Sequence, residues 1–209
     1  MRIARQGFAY IGILVAAGFV LAIFPATRPF SLVPFALALF VMYFFRDPER
    51  TPPPDPRIWV SPADGKVVYV GPEKDPSSGS SGRTQVSIFL SIFDVHINRS
   101  PVAGVITNLT YTPGRFLAAY REEASSQNEQ NEVTLSGDSF QVIVRQIAGV
   151  IARRIVFSRK KDERLERGER FGLIQFGSRV DVLLPADIKV LVSVGERVRG
   201  GESALAEKT

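Results

Sequence analysis

The chain has 209 residues, a formal net charge of +5, 45% hydrophobic residues, one histidine and no cysteine. That length suits one ordinary domain with a smaller piece beside it. The lack of cysteine excludes disulfides, thiolate metal sites and a cysteine nucleophile, and a lone His96 excludes a histidine-cluster metal centre built within one chain.

The apolar residues are concentrated at the start. Residues 7–25 (GFAYIGILVAAGFVLAIFP) and 30–45 (FSLVPFALALFVMYFF) carry no charge. The first run is close to the ~20 residues that a bilayer core requires, whereas the second is shorter and contains Pro34, which suggests tilting, kinking or partial entry. Two such runs in succession predict a helical membrane hairpin over residues 1–45. A signal peptide fits less well, because a second apolar run follows at once and no small-residue cleavage site intervenes. Arg2 and Arg5 flank one end, Arg46 and Arg50 the other, and Arg28 alone stands between them. The positive-inside rule then places both ends, and the domain that follows, on the cytoplasmic side of the cell membrane. With these segments present, the positive charge points to an anionic lipid surface and away from nucleic acid.

Residues 46–57 (RDPERTPPPDPR) read as a proline-rich extended linker. Residues 58–209 read as a second, β-rich domain, with runs such as VVYVG, TQVSIFLSIF and SFQVIVRQIAGV punctuated by glycine and proline. This spacing predicts a mainly β fold with few short helices, a sandwich or barrel. SPADGKV (61–67) and VGERVRGGE (194–202) resemble the hairpins of a flattened lipoyl- or biotinyl-like sandwich, but neither Lys66 nor Lys189 stands in a carrier's Met-Lys-Met setting. Residues 75–83 read as a loop, 115–124 as a short helix, and the charged stretch 158–170 as a solvated face or turn.

Gly177-Ser178 lies between two β-like runs in ERFGLIQFGSRVDVLLP, where a glycine needs a reason. A bulge or tight corner is the plain explanation. The pair alone carries no weight, since Gly79-Ser80 occurs in an evident loop. Asp64 reads by itself as a turn aspartate before Gly65, and NEQNE (128–132) as a solvated turn. His96 is the one side chain whose ordinary pKa suits proton exchange near neutrality.

Six blocks in order, FFRDPER, SPADGKV, FDVHINRSP, NEQNE, RQIAGVIARRIV and RGERFGLIQFGSRVDVLLP, cover the chain from 44 to 185. In these blocks the sequence resembles the short bacterial and archaeal form of phosphatidylserine decarboxylase. The resemblance implies self-cleavage at Gly177-Ser178 into a β chain (1–177) and an α chain (178–209), with Ser178 converted to a covalent pyruvoyl group. It further implies decarboxylation of membrane phosphatidylserine to phosphatidylethanolamine and carbon dioxide through a Schiff base, with no metal. The two chains would remain partners, and a homo-oligomer is expected. In the family the residue matching Asp64 orients the self-cleavage base; His96 becomes the acid/base candidate. Better-known members carry a second histidine where this chain has Arg99. Arginine is a poor base, so the group that activates Ser178 stays open at this point, and Arg99 becomes a candidate for holding the substrate's phosphate or carboxylate. The competing readings are a membrane-anchored lipoyl-like adaptor without catalysis and a Ser-Lys hydrolase using Ser178 and Lys189.

Overall fold

The computed structural model describes residues 2–74, 82–117, 124–149, 154–175 and 177–208. The chain divides into two compact units, Met1–Glu49 and Arg50–Thr209.

In the first unit, strand β1 (Arg2–Ile3) pairs with β2 (Arg46–Asp47) and clasps the ends of two helices, α1 (Gly7–Ile23) and α2 (Leu32–Phe44), which are joined through a 3₁₀ turn at Arg28–Ser31. Pro34 falls in the first turn of α2, where its missing N–H has no intrahelical acceptor to lose, so no kink is required. The helices approach closely at Gly18, where a Cβ would stand 2.8 Å from the Phe35 ring. Large apolar side chains stay uncovered on both, among them Ile13 at 69% and Leu39 at 66% exposure. At ~1.5 Å per residue the helices are about 26 and about 20 Å long, short of the ~30 Å of a bilayer core. Among the described residues no helix is long and apolar enough to cross a membrane.

The second unit is mainly β. Its centre is an eight-stranded antiparallel sheet. In spatial order the strands are β11 (Arg164–Leu165), β7 (Gly104–Thr112), β8 (Gln130–Gly137), β9 (Phe140–Ile147), β13 (Ser178–Leu184), β5 (Thr84–Leu90), β4 (Gly65–Pro72) and β15 (Arg197–Val198). Register shifts between Val67 and Tyr69 and between Ile106 and Asn108 interrupt the ladders, and the sheet curls into a half-barrel. Two three-stranded sheets complete the unit: β10 (Ile155–Phe157), β12 (Arg170–Ile174) and β6 (Ile97–Arg99) form one, and β14 (Ile188–Val190), β16 (Ala204–Lys208) and β3 (Ile58–Val60) the other. Their apolar faces share one core, in which Ile88, Val144, Val180 and Val182 of the large sheet join Phe171, Ile174 and Leu205 of the small ones.

Residues 50–57 run without regular structure, and the Arg167 guanidinium donates to the carbonyls of Pro53, Asp55 and Ile58. The loop expected at 75–83 and the helix expected at 115–124 fall largely outside the described residues; at the edges of the latter, Arg115 bridges Asn128 and a one-turn helix α3 spans Ala124–Gln127.

Candidate active site

Strand β12 ends at Ile174 in a small sheet and β13 begins at Ser178 in the middle of the large one. Alternation along β13 puts Ser178 on the same face as the core residues Val180, Val182 and Leu184. Its hydroxyl is fully buried and has no hydrogen-bond partner among the described residues. Leaving such a group unmatched costs about 1–3 kcal/mol, which native structures tolerate chiefly where the group has work to do. The preceding Gly177 has φ +68°, a left-handed conformation that glycine adopts freely and side-chain-bearing residues avoid. The glycine is thus required by the backbone of the junction itself.

His96, only 2% exposed, immediately precedes β6. Its Nδ1 lies 3.0 Å from the Asp94 carbonyl, and the Gly177 N–H donates to its Nε2 at 3.3 Å. With the Gly177 N–H donating to Nε2, the ring proton sits on Nδ1 and the Nε2 lone pair faces the Gly177 amide. The Asp94 turn is itself fixed: its carboxylate accepts from the Ser91 N–H and hydroxyl at 2.8 and 2.7 Å and from Arg197 at 3.0 Å.

Asp64 and Arg99 belong to an adjoining cluster. The Asp64 carboxylate accepts from the Gly200 N–H at 2.7 Å and from Arg50 at 3.0 Å, while Arg50 also reaches Glu202 at 2.6 Å. Arg99, 4% exposed, donates from Nη1 to the Gly168 carbonyl at 3.0 Å, and its backbone N–H donates to the Pro62 carbonyl at 2.9 Å. That backbone bond ties the turn bearing Asp64 to the strand that follows His96. Of the expected residues, His96 therefore meets the backbone of Gly177, the residue before Ser178, and Asp64 and Arg99 sit in an adjoining cluster with Arg50, which the sequence presented only as a flanking charge.

Sequence reasoning missed a second polar group. Asn131 donates to Gln146 at 3.0 Å, and Gln146 donates to Asn98 at 2.7 Å, all three being buried. The NEQNE segment is accordingly no solvated turn: Asn131 lies in β8, and the Asn128 amide binds Leu117 and the Ala148 carbonyl. No local signal in the sequence marks these three carboxamides as a unit, since they lie on three separate strands. Lys189, by contrast, is exposed on β14 in another sheet, and the Ser178 hydroxyl has no lysine partner among the described residues, which removes the basis for a Ser178–Lys189 pair.

The family model described as phosphatidylserine decarboxylase matches residues 37–206. The chain belongs to the phosphatidylserine decarboxylase family. A protein of Solibacter usitatus named phosphatidylserine decarboxylase proenzyme is 48% identical over 208 residues, covering 100% of this chain and 98% of the relative. Its namesake in Symbiobacterium thermophilum is 49% identical over 204 residues, with 97% and 94% covered. That of Syntrophus aciditrophicus is 43% identical over 207 residues, with 97% and 96% covered. Membership in this decarboxylase family makes the unpartnered Ser178 hydroxyl the feature to explain.

Proposed function

We propose that the chain decarboxylates phosphatidylserine to phosphatidylethanolamine after cutting itself between Gly177 and Ser178. The observation that carries this reading is the buried, unpartnered Ser178 hydroxyl, placed after a left-handed glycine and beside an imidazole lone pair. His96 Nε2 takes the hydroxyl proton as Ser178 Oγ attacks the Gly177 carbonyl carbon. The C–N bond breaks, the proton passes to the released nitrogen, and an ester joins Gly177 to the Ser178 oxygen. Loss of the Ser178 Cα proton with cleavage of Cβ–Oγ frees Gly177 as a carboxylate terminus, and hydrolysis with loss of ammonia leaves a pyruvoyl group at residue 178.

The residues present fit that group, since position 178 is buried, heads a central strand and has no competing hydrogen bond among the described residues. The pyruvoyl ketone supplies the electron sink for loss of carbon dioxide from an amino-acid headgroup. His96, only 2% exposed and so shielded from bulk exchange, then holds the proton that the carbon needs. Asp64 is a positioning residue, fixing Arg50 and the Gly200 turn against the segment bearing His96, and Arg99 supplies fixed positive charge toward the substrate's phosphate or carboxylate.

The cut leaves the two chains joined. Strand β13, wholly in the new α chain, lies between β9 and β5 of the β chain, paired from Ser178 to Leu184 with one and from Arg179 to Leu183 with the other.

The uncovered apolar surfaces of α1 and α2 support docking of the first unit into the cytoplasmic face of the cell membrane, entering without a full crossing. Vesicle flotation of the full chain checks this: the wild type should float with anionic vesicles, and a double Ile13→Lys, Leu39→Lys variant should remain below. Equal flotation would reject the membrane role. For the activity, wild-type protein should release carbon dioxide from phosphatidylserine vesicles while Ser178→Ala releases none; turnover by an uncut Ser178→Ala chain would overturn the proposal.

A further inference from the structure

Self-cleavage places a negative charge on the Gly177 carbonyl oxygen when Ser178 Oγ attacks, and a buried site needs a donor aimed at that oxygen. His96, as the base, cannot be that donor. A second buried polar atom lacks a partner among the described residues: Asn98 Nδ2, on a residue with 0% exposure.

Its placement follows from strand geometry. Asn98 is two residues beyond His96, so along this extended segment both side chains point to one face. That face meets the concave side of the large sheet, because Asn98 accepts from Gln146 and a Cβ on Gly172, the register partner of Asn98, would stand 3.1 Å from Gln146 Nε2. Gln146 pairs with Val180, two residues past Ser178, which makes it a diagonal neighbour of Ser178 on the same face. The amide chain also has a direction. Asn131 donates to the Gln146 oxygen, Gln146 donates to the Asn98 oxygen, and the Asn98 nitrogen is left as a donor with no acceptor among the described residues. Three buried carboxamides would be a costly way to fill a core; aligned in series, they hold one N–H₂ group rigidly against the face of the large sheet that bears Ser178.

We infer that Asn98 is a catalytic residue of self-cleavage, its Nδ2 donating to the Gly177 carbonyl oxygen as the tetrahedral oxyanion forms, with Gln146 and Asn131 as positioning residues. The role rests on the self-cleavage reading above. The bond changes are those already given: O–C forms, C–N breaks, and the hydroxyl proton moves by way of His96 to the departing nitrogen. Asn98 exchanges no proton.

The test follows chain splitting of freshly made full-length protein by denaturing electrophoresis, with and without hydroxylamine, which cuts an accumulated ester at Gly177. Wild type, Asn98→Ala and the near-isosteric Asn98→Asp are compared, each with its thermal melt. The expected result is cleavage slowed about 10²- to 10³-fold, the usual effect of losing one oxyanion donor, with a precursor that hydroxylamine does not cut, because the ester fails to form. Gln146→Met should slow cleavage less, by freeing Asn98 to turn over. A folded Asn98 variant that cuts at the wild-type rate would overturn the role, as would a hydroxylamine-sensitive precursor, which would place Asn98 at the elimination step. Should Asn98→Ala not fold, Asn98→Asp alone decides. An uncut wild type would overturn the self-cleavage reading itself, and the role of Asn98 with it.

Discussion

The two faces of β13 are built on opposite terms. On the concave face Val180, Val182 and Leu184 pack into the apolar core, and the row ends in the unsatisfied hydroxyl of Ser178. On the convex face Asp181, 0% exposed, accepts both Nε and Nη2 of Arg179 at 2.8 Å and also binds Gln85 of β5, while Arg179 reaches Ser125 of α3. Further along that face Arg145 binds Glu132 and Glu73; burial opposes its charge, yet the carboxylates outweigh this and raise its pKa. One face therefore leaves a reactive atom without a partner among the described residues, and the other pairs ionic groups whose hydrogen bonds to Gln85 and Ser125 would link the two proposed chains. Reactivity and cohesion are separated across the thickness of a single strand.

Substitutions on each face should have separable consequences. The largest effect belongs to Ser178→Ala, which should abolish both splitting and decarboxylation, read by electrophoresis and carbon dioxide release, with the fold intact. Next, His96→Ala should slow splitting by about 10²- to 10⁴-fold, the range for removing a general acid or base, and rate measurements at fixed pH check it. Asp181→Ala attacks the opposite face. Stripping one partner from a buried ion pair should cost about 3–5 kcal/mol in denaturant unfolding, while the folded fraction still cuts itself. The smallest effect is that of Gly177→Ala, where forcing an alanine to φ +68° costs about 1–2 kcal/mol and should slow splitting by roughly tenfold. If Asp181→Ala blocked splitting without unfolding, or His96→Ala unfolded the chain, the separation of faces would fail.

Much of this was legible in the sequence, for particular reasons. The β-rich unit announced itself through short runs bounded by glycine and proline, and the helices through charge-free stretches. Gly177 and Ser178 stood out because a glycine interrupted a β-like run, and left-handed φ is the physical cause. The convex face was hidden, since the alternation in SRVDVLL resembles a half-exposed strand although all seven residues are buried. A polar residue's burial depends on partners distant in sequence, as Gln85 is from Asp181, and no local pattern encodes them. The Asn131–Gln146–Asn98 chain was missed for the same reason: three carboxamides on three strands become one unit only when two sheets are packed. Asp64 was legible as a turn residue, but its union with Arg50 and Gly200 joins segments far apart along the chain.

The central claim, that Ser178 becomes the new head of a strand still held on both edges, is tested most directly by mass spectrometry of the purified full-length protein, first under native and then under denaturing conditions. The account predicts that the native particle contains both pieces and that denaturation releases two chains, residues 1–177 and a fragment starting at position 178 whose N-terminus is pyruvoyl and resists sequential degradation. A single intact chain, or a break at any other bond, would contradict it.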